Sequence, residues 1–184
     1  MVDYTVRTAL NKLVEGMTID GKLSVANWMR EKIISEQAFM ITKRFKSVAS
    51  GDSIEIYLEN PTGSGKMVEI ATIEIVTTGE CSIDVYSGNT ITTNGTSITP
   101  VNMKIGATTT SVVNTEYGGT YTTGDTIMEL VSPGGSQIRA VGGQSEISGE
   151  IMLEEGQNIV VKVTNDSTSA ENISVKITWA EITP

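Results

Sequence analysis

The segment Asn60-Pro61-Thr62-Gly63-Ser64-Gly65-Lys66 ends in Gly-Lys, the pair that closes a phosphate-binding loop. The spacing departs from that pattern twice. Asn60 stands where the first glycine belongs, and Met67 follows Lys66 where a serine or threonine would hold magnesium. The context departs too. A phosphate loop needs a following helix whose first amides face the anion, whereas Val68, Ile70, Ile73 and Ile75 mark a strand. The segment reads as a hairpin loop.

Other chemistry has few residues to work with. The chain has no histidine, which removes Ser-His-Asp and Cys-His catalysis and histidine metal sites. Its one cysteine, Cys81, allows neither an internal disulfide nor a cysteine zinc site, and reads as a small buried strand residue. Glu69, Glu74, Asp84, Glu129 and Glu150 all lie on strand candidates. Carboxylate pairs hydrolyse sugars, but alternating glutamates usually face solvent, and aromatics make up only 5% of the chain. Loops rich in Asp, Asn and Gly offer oxygens for calcium without EF-hand spacing. The expectation is a non-enzyme with no catalytic residues, no cofactor and no metal.

The charge is divided. Residues 1–50 carry eight Lys/Arg against five Asp/Glu, and residues 51–184 carry five against seventeen. An acidic body repels nucleic acid and anionic membrane, so neither is expected as a partner. The basic segment suits an acidic protein surface or ordinary solvation of helix faces. No stretch reaches 18 apolar residues, and the first residues lack a signal-peptide core.

Residues 4–15 have helical spacing, with Val6, Leu10 and Leu13 on one face and Gly16 as a stop. Residues 19–22 read as a turn. Ser24 then caps a second helix striped by Val25, Trp28, Met29 and Ile33. Neither helix is long enough to stand alone. Val6, Leu10, Leu13, Val25, Trp28 and Met29 are therefore the candidate interface residues.

From Ala38 the period changes to two. Phe39 and Ile41 begin a strand; Ile54, Ile56 and Leu58 alternate with polar residues; a parity shift at Ala71-Thr72 predicts a bulge. Strands are expected near 81–86, 96–103, 110–117 and 125–131, with Asn94-Gly95 as a hairpin turn. Residues 132–146 read as a long loop. Three strands close the chain, from Ile147 to Leu153, through Val161 and through Val175, and Trp179 falls in phase with Ile173, Val175 and Ile177 as a core residue. No helix separates the strands. This predicts an antiparallel jelly roll or β-sandwich over 38–184, behind a helical N-terminal arm over 1–37.

Several stretches carry a likeness. They are Val48 to Asp52 leading to Asn60-Pro61 and Gly63-Ser64-Gly65; Asp84-Val85-Tyr86; Asn94-Gly95-Thr96 with Thr99 to Asn102; Leu153 to Gly156; Val163-Thr164-Asn165; and Thr178 to Glu181. In these the chain resembles tailed-phage and archaeal-virus virion proteins, the head decoration or head-fibre-like proteins with a jelly-roll body. The likeness spans residues 39–181, with Ala180 where an aromatic is expected, and it carries over no site residues. It implies a capsid decoration protein on the virion surface, made in the host cytoplasm. Its partners would be the major capsid protein and further copies of itself, as a trimer. The alternative is a receptor- or glycan-binding module of a viral fibre or tail tip, with loops 88–95, 118–124 and 132–146 carrying recognition.

Overall fold

The computed structural model describes residues 18–19, 22–23, 28–134, 144–147 and 151–184. Strands β1 (Thr18–Ile19) and β2 (Lys22–Leu23) pair antiparallel, which brings the ends of the 19–22 segment together. Helix α1 (Trp28–Ile34) follows. It stops at Glu36, whose φ is 63°. The Glu36 N–H donates to the Ile33 carbonyl at 3.1 Å and the Gln37 N–H to the Lys32 carbonyl at 2.8 Å. This is a Schellman closure with glutamate in the usual glycine position. The helix expected over 4–15, together with Ser24 and Val25, lies outside the described residues.

From Ala38 the chain is β-structure. Strands β3 (Ala38–Val48), β4 (Ser53–Glu59), β5 (Met67–Thr77) and β6 (Cys81–Ser87) come first. An insertion over 88–124 carries β7 (Thr90–Thr93), β8 (Thr96–Ser97), β9 (Val101–Asn102), β10 (Asn114–Tyr117) and β11 (Thr120–Thr122). Then come β12 (Asp125–Ser132), β13 (Gln144–Ile147), β14 (Ile151–Leu153), β15 (Asn158–Asn165) and β16 (Glu171–Ile182).

Two antiparallel sheets pack as a sandwich. The first runs β12-β6-β15-β4-β10-β8; the second runs β13-β5-β16-β3-β9, with β14 also on β5. Without the insertion, and with β13 and β14 counted as one strand position on β5, successive strands alternate between the sheets except at β6–β12, which pair with each other. That connectivity is a jelly roll. Period-two alternation puts Ile56, Leu58, Ile83, Val85, Val161 and Val163 on one inner face and Phe39, Ile41, Ile73, Ile75, Ile177 and Trp179 on the other, all buried. Branched aliphatics fill the core that so few aromatics could not. Trp179 stacks on Phe39 with ring centroids 6.3 Å apart. The expected bulge is present: Thr178 lies opposite Thr72 and Trp179 opposite Ile70, so Ala71 is the extra residue.

The insertion corrects the sequence reading. Asn94-Gly95 is a corner and not a hairpin turn: β7 before it pairs with β11, and β8 after it pairs with β10. Gly95 fits because a Cβ there would collide with the Tyr117 carbonyl and the Gly119 nitrogen. The single strand expected over 96–103 is divided between the sheets, with Pro100, which has no N–H for a ladder, between the halves. The long loop expected over 132–146 is interrupted by β13, and the strand expected over 147–153 is two strands on β5. Residues 135–143 and 148–150 lie outside the described residues.

The insertion closes one side of the sandwich. Strand β9 pairs with β3 and β10 with β4, so both sheets are extended at that edge. The β7–β11 ribbon covers part of the first sheet's outer face. Tyr121 stacks on Tyr57 at 5.2 Å and 5°, and outward-facing Tyr57 is only 2% exposed. Asn158 ties the insertion down. Its Oδ1 accepts the Asn89 N–H at 2.8 Å and its Nδ2 donates to the Asn89 carbonyl at 3.0 Å. Asn89 Oδ1 in turn accepts the Gly124 N–H at 3.1 Å.

Candidate functional site

Two of the expected interface residues fall within the described residues. Trp28 opens α1 and is 36% exposed; Met29 is half-buried, and α1 buries no residue fully. The helix packs beside β3. Val6, Leu10, Leu13 and Val25 lie outside the described residues.

The segment between β9 and β10 meets the end of α1. Asn102 Oδ1 accepts the Lys104 N–H at 2.9 Å, and Asn102 Nδ2 donates to the Glu36 carbonyl at 2.9 Å. The Ala107 N–H closes a turn on the Lys104 carbonyl at 3.0 Å. The Lys104 ammonium reaches the Glu36 carboxylate at 2.8 Å and the Ile34 carbonyl at 3.3 Å. The Thr109 hydroxyl donates to the other Glu36 oxygen at 2.9 Å. The hydrogen bond from Lys104, then that from Thr109, holds the Glu36 carboxyl below its usual range. A left-handed backbone is costly for an L-residue, and here it places that carboxylate at the hub of the turn. The turn presents Ile105, which is 99% exposed, while Ile34 and Val101 nearby are also exposed. An isoleucine held in water on a fixed turn is a preformed apolar contact.

A hollow of about 430 Å³ lies where the β7 ribbon meets β4, β8 and β10, lined by Tyr57, Val113, Glu59, Glu116, Ile91 and Asn94 among others. Burial, and then the carboxylates of Glu59 and Glu116, push the Tyr57 phenol up to about 12. Burial and Glu116 raise Tyr121 as well, and its hydroxyl donates to Glu116 at 3.2 Å. The hollow is electronegative and can accept hydrogen bonds. Tyr121 occupies the Tyr57 ring face, so that face is closed to a sugar.

The Gly-Lys loop has an internal occupant. The Glu155 carboxylate accepts the Gly63 N–H at 3.0 Å and the Gly65 N–H at 2.6 Å. Strand β5 follows the loop, but β4 and β5 lie in different sheets, so the segment crosses between the sheets and is not the hairpin loop expected from the sequence. Loop amides that converge on one point bind an anion, and here the chain's own carboxylate takes that place.

Cys81 is buried, and burial foremost pushes its thiol up, away from a reactive thiolate. Trp179 is wholly buried, with its indole N–H on Glu181 at 3.4 Å. Glu181 also accepts the Val112 N–H at 3.0 Å, which pins the approach to β10 onto β16. Glu69, Glu74, Asp84 and Glu129 lie on strands as expected. Among the described residues no three His, Cys, Asp or Glu side chains are grouped to hold a metal.

Sequence reasoning did not single out Glu36, Lys104 or Ile105. The local pattern concealed Ile105: it continues the alternation of Val101 and Met103 and so reads as a strand position before Gly106. No protein-family model matches the chain, and no curated protein matches it.

Proposed function

We propose that the chain is a virion structural protein that decorates a viral capsid through protein–protein contacts. The observation that carries this reading is the fixed end surface, where Ile105, Ile34, Val101 and Trp28 expose apolar area beside the root of the N-terminal segment. Burying that area against a partner yields about 25 cal/mol per Å². The turn is already ordered, so little further ordering is needed on binding. The resemblance in strand and turn residues supports a capsid as the setting. A sandwich closed along one side by its own insertion suits a rigid cement. The major capsid protein is the proposed partner, with trimers of this chain bridging its subunits and many copies acting together on one lattice.

The second reading is a receptor- or glycan-binding module, favoured by the hollow beside Glu59 and Glu116. The burial of Tyr57 counts against it for glycans.

The test is density-gradient sedimentation of particles from the cells that carry the gene. Decoration predicts that the protein travels with intact capsids and labels their outer surface with antibody. Protein confined to the top of the gradient contradicts it. Label restricted to a fibre or tail tip selects the second reading.

A further inference from the structure

The two outer faces of the sandwich differ in charge: the first sheet's is acidic, whereas the second sheet's is mixed, with Glu69 and Glu74 on β5 and a cationic corner at Arg44 and Lys46 of β3. On the second sheet, the outward positions of β3 include Arg44 and Lys46. Ser174 of β16 lies opposite Arg44 and, on its other side, opposite Val76 of β5. Two shallow hollows of about 210 and 470 Å³ share Arg44, Val76 and Ser174. Val76 is 42% exposed. Lys176 is already paired with Glu74 at 2.6 Å, but Arg44 and Lys46 have no ion pair among the described residues.

On the first sheet, one row crosses four strands: Glu129 of β12, Asp84 of β6, Lys162 of β15 and Glu55 of β4. Three carboxylates share the row with one lysine, which Asp84 and Glu55 flank, and Val131 of the outer strand is 66% exposed beside them. The Tyr86 phenol registers the field: burial raises it first, and Asp84, Glu129 and Glu55 raise it further. The β7–β11 ribbon does not seal this row, since Glu129 and Val131 remain in water.

We propose that copies of this chain stack face to face, the Arg44–Lys46 face of one against the Glu55–Asp84–Glu129 face of the next. Charge complementarity selects the occupant. The acidic body disfavours a polyanion, and the chain itself carries the matching carboxylates. Each face also has an exposed valine for a small apolar centre. Because the two surfaces are different and lie on opposite sides, the contact is heterologous and propagates as a row. Exposed ion pairs are individually weak and screened by salt. The stacking is therefore marginal in free solution and gains where a lattice already aligns the copies. The proposal does not depend on the capsid reading.

Sedimentation velocity on the full chain tests it, at about 0.01 M and about 1 M salt. The expected result is a concentration-dependent species at low salt, above whatever mass persists at high salt. The double variants Arg44→Glu/Lys46→Glu and Glu55→Lys/Glu129→Lys each weaken that step at least about tenfold. Mixing the two restores it, because the reversed faces are again complementary. Circular dichroism checks that both variants stay folded. Four results would overturn the proposal: no association at low salt, association indifferent to salt, association indifferent to either reversal, or no restoration on mixing.

Discussion

Glu36 and Lys104 meet at 2.8 Å across 68 residues of sequence, and Glu36 adopts a left-handed backbone to do so. The pair joins the end of α1 to the turn that exposes Ile105. Glu36→Gly suits the backbone better and removes the hub of the turn. The expected outcome is faster amide exchange at Lys104 and Ile105 with the β-sandwich unchanged. The pH dependence follows from the lowered Glu36 carboxyl. A depressed carboxyl stabilises above its unfolded value, and that contribution is lost as pH falls through the folded one. The amide resonances of Lys104 and Ile105 should therefore shift below the ordinary carboxylate range, and in the Glu36→Gln variant they should not.

The Glu155 carboxylate on the Gly63 and Gly65 amides predicts a local effect. Glu155→Ala returns both N–H groups to water. The loss is about 1 kcal/mol once discounted for exposure, read as a shift in the denaturant midpoint. Exchange should accelerate at Gly63 and Gly65 and not at the β-sheet amides.

Tyr57 and Tyr121 should resist ionisation at high pH. The Tyr57 phenol is raised from 10 to about 12, and burial with Glu116 raises Tyr121. A raised acid favours the neutral folded form. Stability is full below the unfolded value near 10 and declines as pH rises through the folded one. Tyrosinate absorbance should rise in stages, Tyr117 early because Lys43 lowers it, and Tyr57 and Tyr121 last, with loss of the β7–β11 ribbon. Tyr121→Leu should move the last stage to lower pH.

The two tryptophans separate packing from contact. Trp179 is wholly buried and Trp28 is partly exposed. Trp179→Ala should cost about 3–5 kcal/mol. Trp28→Ala should stay within about 0.5 kcal/mol of the native chain. Thermal and denaturant unfolding of the two variants checks both.

The sandwich was legible because its inner faces alternate cleanly: Ile54, Ile56 and Leu58, or Ile173, Val175, Ile177 and Trp179. The bulge at Ala71 was legible from the same parity. The insertion was not. Its strands are two to four residues long and rich in Thr, with too few positions to display a period. Gly95 serves a close approach to a distant carbonyl, and this has the same local signature as a hairpin turn. Tyr57 reads as solvent-facing by alternation and is buried by Tyr121, 64 residues away. The end surface was half legible. Trp28 and Met29 lie on a helical stripe, whereas Ile105 depends on a turn assembled by Asn102, Lys104 and Glu36 from separate parts of the chain.

The most direct measurement adds full-length protein back to capsids that lack it and counts bound copies after sedimentation. The account predicts saturable binding of the native chain. It predicts at least about a tenfold loss of affinity for Ile105→Asp, which carries a charge into an apolar contact without touching the core. Equal occupancy by the native chain and the Ile105→Asp variant, or no binding by either, would contradict it.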